Sequence, residues 1–89
     1  MSVAQLHHFV AVAEEQHVGR ASARLHMAQP PLSRSIQSLE DELGVRLFER
    51  TPRGMRLLPE GALFLEHARR VLDAMEAAVQ AVRARPATG

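Results

Sequence analysis

Cysteine, lysine, tryptophan and tyrosine are all absent from the 89 residues. Without cysteine there is neither a disulfide framework nor a thiolate metal site. No apolar run approaches the ~18 residues that a membrane-spanning helix needs. The N-terminus lacks the basic-then-apolar order of a secretion signal, so the chain reads as cytoplasmic and not attached to a membrane. Three phenylalanines are the only aromatics. The core must therefore rest largely on Leu, Val, Ile, Met and Ala, and the exposed positions offer no aromatic platform for stacking single-stranded RNA bases. Of the five histidines, His7 and His8 are adjacent and His17, His26 and His67 are isolated. None forms the i, i+4 pair that holds zinc on a helix, and no metal or cofactor is expected. The carboxylates of Glu40, Asp41 and Glu42 lack a partnered histidine or nucleophile nearby in sequence, and Ser22, Ser33 and Ser35 lack a recognisable base. The chain does not read as an enzyme.

What is present is one small domain, 46% apolar, with a net charge of +1 that hides an asymmetry. Residues 20–34 hold Arg20, Arg24 and Arg34 and no acid, and residues 46–56 hold Arg46, Arg50, Arg53 and Arg56 against Glu49 alone. Positive charge grouped in two stretches is the footprint of a nucleic-acid-binding surface. Arg20, Arg24, Arg46 and Arg56 fit phosphate contact and packing equally.

The segment VGRASARLHMAQPPLSRSIQSLEDEL, residues 18–43, organises the rest. Leu32, Ile36, Leu39 and Leu43 recur by four, three and four, one face of a helix. Burying that face leaves Ser33, Arg34, Gln37 and Ser38 around the outside, with Gln29, Pro30 and Pro31 at the tip. Prolines suit the first helical turn, and Gly44 is a natural C-cap. Hydroxyl, amide and guanidinium groups on one exposed helix are the means of reading a DNA major groove. The acids at 40–42 oppose the helix dipole and would be repelled by phosphates, so that end should point away from DNA.

Residues 3–16 read as a first helix with Leu6, Phe9, Val10 and Ala13 inward, and Ser2 with Gln5 fits a capping box. A second helix runs from about Gly19 to His26, with Ala21 and Leu25 inward. Val45 to Arg50 and Met55 to Leu58 are short candidate strands around TPRG, which suits a type I turn. They make a basic hairpin, a wing beside a helix-turn-helix. From Pro59 to about Arg83, Leu65, Ala68, Leu72, Met75, Val79 and Val82 alternate by three and four. That spacing is a heptad seam and predicts pairing with the same helix of a second subunit; packing within the domain is the alternative.

Across RLHMAQPPLSRSIQSLEDELGVRLFERTPRGMRL the chain resembles the N-terminal DNA-binding domain of LysR-type bacterial transcriptional regulators. The likeness extends over residues 3–65 as a run of helix-turn-helix, ELG, an LFER strand and a long linker helix. It implies a mainly α winged helix-turn-helix with a small β-hairpin in residues 1–58, a dimerising linker helix in 59–85 and a tail at 86–89. It also implies a homodimer through antiparallel linker helices, reading an interrupted inverted repeat. Carried over residue by residue, base reading falls on Gln29, Pro30, Pro31, Ser33 and Arg34, and wing contacts at the minor groove fall on Arg50, Thr51 and Arg53. Gln37 joins them from its place on the exposed helix face. Family members continue into a larger effector-binding domain, so a small-molecule inducer would bind outside this chain. Two positions depart from the family pattern. Ala28 replaces the usual serine and removes a helix cap or phosphate contact worth ~1 kcal/mol. Leu58 replaces a capping threonine, which Pro59 and Glu60 partly offset. The rival from another class is a helical protein-interaction module whose exposed third helix binds a partner protein.

Overall fold

A computed structural model describes residues 1–86: helices α1 (Val3–Glu15), α2 (Val18–Leu25) and α3 (Gln29–Leu43), strands β1 (Phe48–Thr51) and β2 (Gly54–Leu57), and the long helix α4 (Pro59–Arg83). All three phenylalanines meet where these elements converge. The Phe9 ring of α1 lies 5.5 Å from that of Phe48 in β1 and 5.1 Å, edge-on, from that of Phe64 in α4. Leu32, Ile36 and Leu39 close the core from α3, and Leu65 and Ala68 close it from α4. No helix among the described residues is long and apolar enough to cross a membrane.

The helix ends follow local chemistry. Ser2 Oγ accepts the Gln5 N–H at 3.1 Å, but the reciprocal half of the capping box is not made. The Gln5 amide instead donates to the Ser35 carbonyl at 3.0 Å, tying α1 to α3. The second helix begins and ends one residue earlier than its sequence pattern predicts, because His17 caps it through Nδ1, which accepts the Arg20 N–H at 3.0 Å. The third starts with Ala28 as an N-cap that makes no side-chain bond, and ends at Gly44 with φ 68°, a left-handed conformation suited to glycine.

The hairpin is shorter than the expected strands. Val45 to Leu47 do not pair with β2, because the Leu47 and Phe48 N–H groups donate to Oε2 of Glu40, at 2.7 and 3.2 Å. The Leu47 carbonyl accepts the Leu58 N–H at 2.9 Å. The strands pair antiparallel from Phe48 opposite Leu57 to Thr51 opposite Gly54. At the tip, Thr51 Oγ1 accepts the Arg53 N–H and donates to the Gly54 carbonyl, at 3.3 and 3.2 Å. On the far edge of β2 the N–H groups of Met55 and Leu57 both donate to Gln16, one to its carbonyl and one to its Oε1, each at 3.1 Å. Gly61 lets the first turn of α4 press on this hairpin: a Cβ there would collide with the Leu47 carbonyl and the Leu57 side chain.

Two of the three acids at the end of α3, Glu40 and Glu42, have partners that the sequence does not announce. Glu40 holds the start of the hairpin, and Glu42 accepts the Met1 amine at 2.7 Å. On α1, Glu14 joins Arg24 of α2 and Arg69 of α4, each at 2.7 Å. Those bonds, Arg69 first and then Arg24, hold its carboxyl below the ordinary carboxylate value.

The expected dimer seam needs a correction. Leu65 and Ala68 are 8% and 2% exposed and belong to this subunit's own core, and Leu72 is half-buried against it. A three-four spacing serves an intramolecular face as well as an intermolecular one. From Asp73 to Pro86 every residue is exposed. This half of α4 projects from the globule and gives overall extents of 58 × 25 × 19 Å. Met75, Val79 and Val82 lie along it, with Val71 one turn before Met75, all exposed. Of the expected tail, 87–89 lie outside the described residues.

Two stability outcomes follow from these contacts. Glu40→Ala leaves the Leu47 and Phe48 N–H groups without their acceptor and should cost about 1–3 kcal/mol. A lower urea midpoint checks it, and an unchanged midpoint contradicts the tie. For Glu14 the folded-state pKa is depressed, so its contribution is fully present above the ordinary value of 4.5 and is lost as pH falls through the lower folded value. The stability difference between the native chain and Glu14→Gln should therefore be largest near neutral pH and shrink in strong acid. Urea unfolding as a function of pH measures it, and a constant difference would contradict it.

Candidate nucleic-acid interface

With Leu32, Ile36 and Leu39 buried, the helical period leaves Gln29, Pro30, Arg34, Gln37 and Ser38 exposed on α3, with Pro31 and Ser33 half-buried at the margin. Gln29, Ser33 and Gln37 are spaced by four and share one line along the helix. Arg34 and Ser38 lie one step around it.

The hairpin stands beside that line. In a strand successive side chains alternate sides. Arg50 therefore projects on the side of Phe48 and of its cross-strand partner Met55, whereas Glu49 and Arg56 project on the opposite side and pair with each other. Arg50 consequently faces the helix-turn-helix. A groove of about 450 Å³ separates α3 from β1, with Ser33 and Gln37 on the helix wall and Arg46 and Arg50 on the hairpin wall. Phe48, Met55 and Ile36 also line it, and Glu40 and Asp41 close its far end. A second groove, of about 330 Å³, lies between the start of α2, the start of α3 and the hairpin tip. Gln29, Arg50, Thr51 and Arg53 line it with His17. Arg50 borders both.

Of the candidate residues, Gln29, Ser33, Gln37, Arg50, Thr51 and Arg53 are thus brought around two adjoining grooves. Pro30, Pro31 and Arg34 line neither. The prolines shape the start of α3, and Arg34 points outward from its exposed arc.

The arginines of residues 20–70 divide into two sets. Arg24 pairs with Glu14 and Glu15, Arg20 with Glu15, Arg56 with Glu49, Arg69 with Glu14 and Arg70 with Glu66. The bonds from Glu14 and Glu15 raise the Arg24 pKa above its ordinary value. Arg34, Arg46, Arg50 and Arg53 have no carboxylate partner among the described residues, and all four are exposed on α3 or the hairpin. The charge left for an external anion is therefore narrower than the two basic stretches of sequence. It omits Arg20, Arg24 and Arg56 and includes Arg46, which the sequence left open between packing and phosphate contact. Arg46 is distinguished only by having no salt-bridge partner among the described residues, although Glu40 and Asp41 line the same groove.

The site can present amide, hydroxyl and guanidinium groups along one helix, and two arginines across a groove from it. Hydrogen-bonding groups in such an array match base edges, and unpaired guanidinium groups match phosphates.

The family model for bacterial regulatory helix-turn-helix proteins of the lysR family matches residues 3–62. The HTH-type transcriptional regulator ClcR of Pseudomonas putida is 52% identical over 88 residues, covering 99% of this chain and 29% of that protein. BsdA of Bacillus subtilis, also an HTH-type transcriptional regulator, is 50% identical over 80 residues, covering 89% of this chain and 28% of that protein. The chain spans less than a third of the length of these relatives. Its fold superimposes on the crystal structure of a CbnR_DBD–DNA complex with a TM-score of 0.90 at 45% identity, over 94% of this chain and 97% of that one. For a BenM_DBD/benA site 1 DNA complex the TM-score is 0.88 at 43% identity, over 93% and 96%. The α3 segment and the LFER hairpin fall inside the matched residues, and with a full-length fold match at this identity they place the chain in the lysR family of bacterial regulatory helix-turn-helix proteins.

Proposed function

We propose that this chain is the sequence-reading, double-stranded-DNA-binding domain of a bacterial transcription regulator, working in the cytoplasm as a homodimer without catalysis of its own. The observation that carries the reading is the gathering of Ser33 and Gln37 on α3 with unpaired Arg46 and Arg50 across one groove, and of Gln29 with Arg50 and Arg53 around the adjoining one. Crystal structures of CbnR_DBD and BenM_DBD with DNA, close in fold and sequence, support it. In this reading residues 1–58 form the reading unit. The groups on α3 enter the major groove, where Gln29 is suited to adenine and Arg34 to guanine or a phosphate. The hairpin reaches the flanking minor groove with Arg50, Thr51 and Arg53. Its arginines supply a sequence-blind, salt-dependent attraction, and α3 supplies discrimination.

Residues 59–85 serve self-association in the same reading. Val71, Met75, Val79 and Val82 recur by four, four and three along the projecting half of α4, an apolar stripe with nothing over it in a single subunit. A second copy covers it, and two-fold symmetry then sets two half-sites as an interrupted inverted repeat. An inducer, which the resemblance to LysR-type regulators implies, would not bind within this domain.

The test is selection from a pool of random duplexes followed by substitution. Enrichment of an inverted repeat is expected, and no binding at low salt would favour the protein-interaction reading. Gln29→Ala or Arg34→Ala should cost ~1–3 kcal/mol on the enriched duplex and relax base preference. Equal weakening on enriched and random DNA removes the base-reading role. Arg53→Ala should weaken both duplexes alike and lower the slope of log K against log salt by about 1; an unaltered slope takes Arg53 off the DNA. Val79→Asp, at an exposed position, should leave the fold intact and shift sedimentation from dimer to monomer, whereas a persistent dimer moves the interface elsewhere.

A further inference from the structure

The α1 helix ends in a left-handed residue, Gln16, with φ 47° and ψ 36°. Glycine adopts that conformation without the steric cost that a Cβ incurs. The glutamine side chain has a bond that glycine lacks: its Oε1 accepts the Leu57 N–H, while its carbonyl accepts that of Met55. Both donors lie on the edge of β2 away from β1, so Gln16 lies along the hairpin as a third strand would. The two backbones are closely fitted: at Gly54, φ 149°, a Cβ would run into the Gln16 carbonyl. Arg50 and Arg53 lie on the same hairpin, and His17, the next residue along from Gln16, lines a groove with both.

We propose that Gln16 is a positioning residue for the wing, holding β2 at a fixed angle to the helix-turn-helix so that α3 and the hairpin tip meet one duplex together. The inference rests on the DNA-binding reading given above. The carbonyl bond survives any substitution, so the side-chain bond to Leu57 is the separable part. Without it the wing keeps its hairpin and its arginines but loses one of the two bonds that fix its inclination.

Gln16→Gly separates positioning from folding, because glycine suits the left-handed backbone there and removes the side chain that carries Oε1. Its melting temperature should equal or exceed that of the native chain. Its affinity for a random-sequence duplex of about 30 base pairs should nonetheless fall about 3- to 10-fold. The salt slope should drop by about 1, as for Arg53→Ala, and the double variant Gln16→Gly/Arg53→Ala should show no further drop in slope. Gln16→Met, which keeps the bulk and loses the acceptor, should reproduce the loss of slope. An unchanged slope in both Gln16 variants, with Arg53→Ala still lowering it, overturns the positioning role and leaves the DNA reading standing. Additive losses in the double variant also overturn it, since they assign Gln16 an effect independent of the wing. A native chain that binds no duplex removes the DNA reading and the positioning role together.

Discussion

A hairpin of four residues per strand does not hold itself in place in water, and its outward N–H groups need partners wherever it meets the body of the protein. Here the partners are two residues of the helical part, Glu40 through its carboxylate and Gln16 through its carbonyl and its side chain. Glu40, near the end of α3, takes the Leu47 and Phe48 N–H groups, and Gln16, at the end of α1, takes those of Met55 and Leu57. The hairpin is thus gripped on both sides, while Phe48 is driven into the core against Phe9. The grooves that flank it, and the placing of Arg46, Arg50 and Arg53 beside α3, depend on that grip.

Charge is partitioned by the same architecture. Glu14 and Glu15 draw Arg20, Arg24 and Arg69 toward α1, and Glu49 holds Arg56 on the far side of the hairpin. Exposed pairs of this kind add little stability. Their larger effect is to decide which guanidinium groups remain open to an anion. The acids at the end of α3 contribute in another way: Glu40 is turned toward backbone donors and Glu42 toward the Met1 amine. Glu40 also lines the far end of the groove that Ser33 and Gln37 line.

Much of the fold is legible in the sequence because its determinants are local. The spacing of Leu32, Ile36 and Leu39, the prolines at the start of α3, Gly44 at its end and Pro59 ahead of α4 mark helices within a residue or so. The errors arise where a distant group decides. β1 begins at Phe48 instead of Val45, and the Leu47 N–H just before it goes to Glu40 of α3. α2 starts early because His17 serves as its cap. Leu65 and Ala68 carry the spacing of a coiled-coil seam, yet α1 lies against them, and a three-four repeat does not say which neighbour it faces. In the site, Gln29, Ser33 and Gln37 are readable as one helix line. The pairing of Arg69 with Glu14 across 55 positions of sequence, and so the identity of the unpaired arginines, is not.

In the reading we propose, α3 and the hairpin present one continuous surface to duplex DNA while the projecting half of α4 serves a second subunit. Backbone amide shifts of the labelled chain, followed by NMR during titration with a short duplex at moderate salt, test it most directly. Shifts should concentrate at Gln29, Ser33, Arg34 and Gln37 and at Arg46, Arg50, Thr51 and Arg53, with the stripe from Val71 to Val82 unchanged. Shifts confined to the α4 stripe, or to Arg20 and Arg24 on α2 without the hairpin, would contradict it.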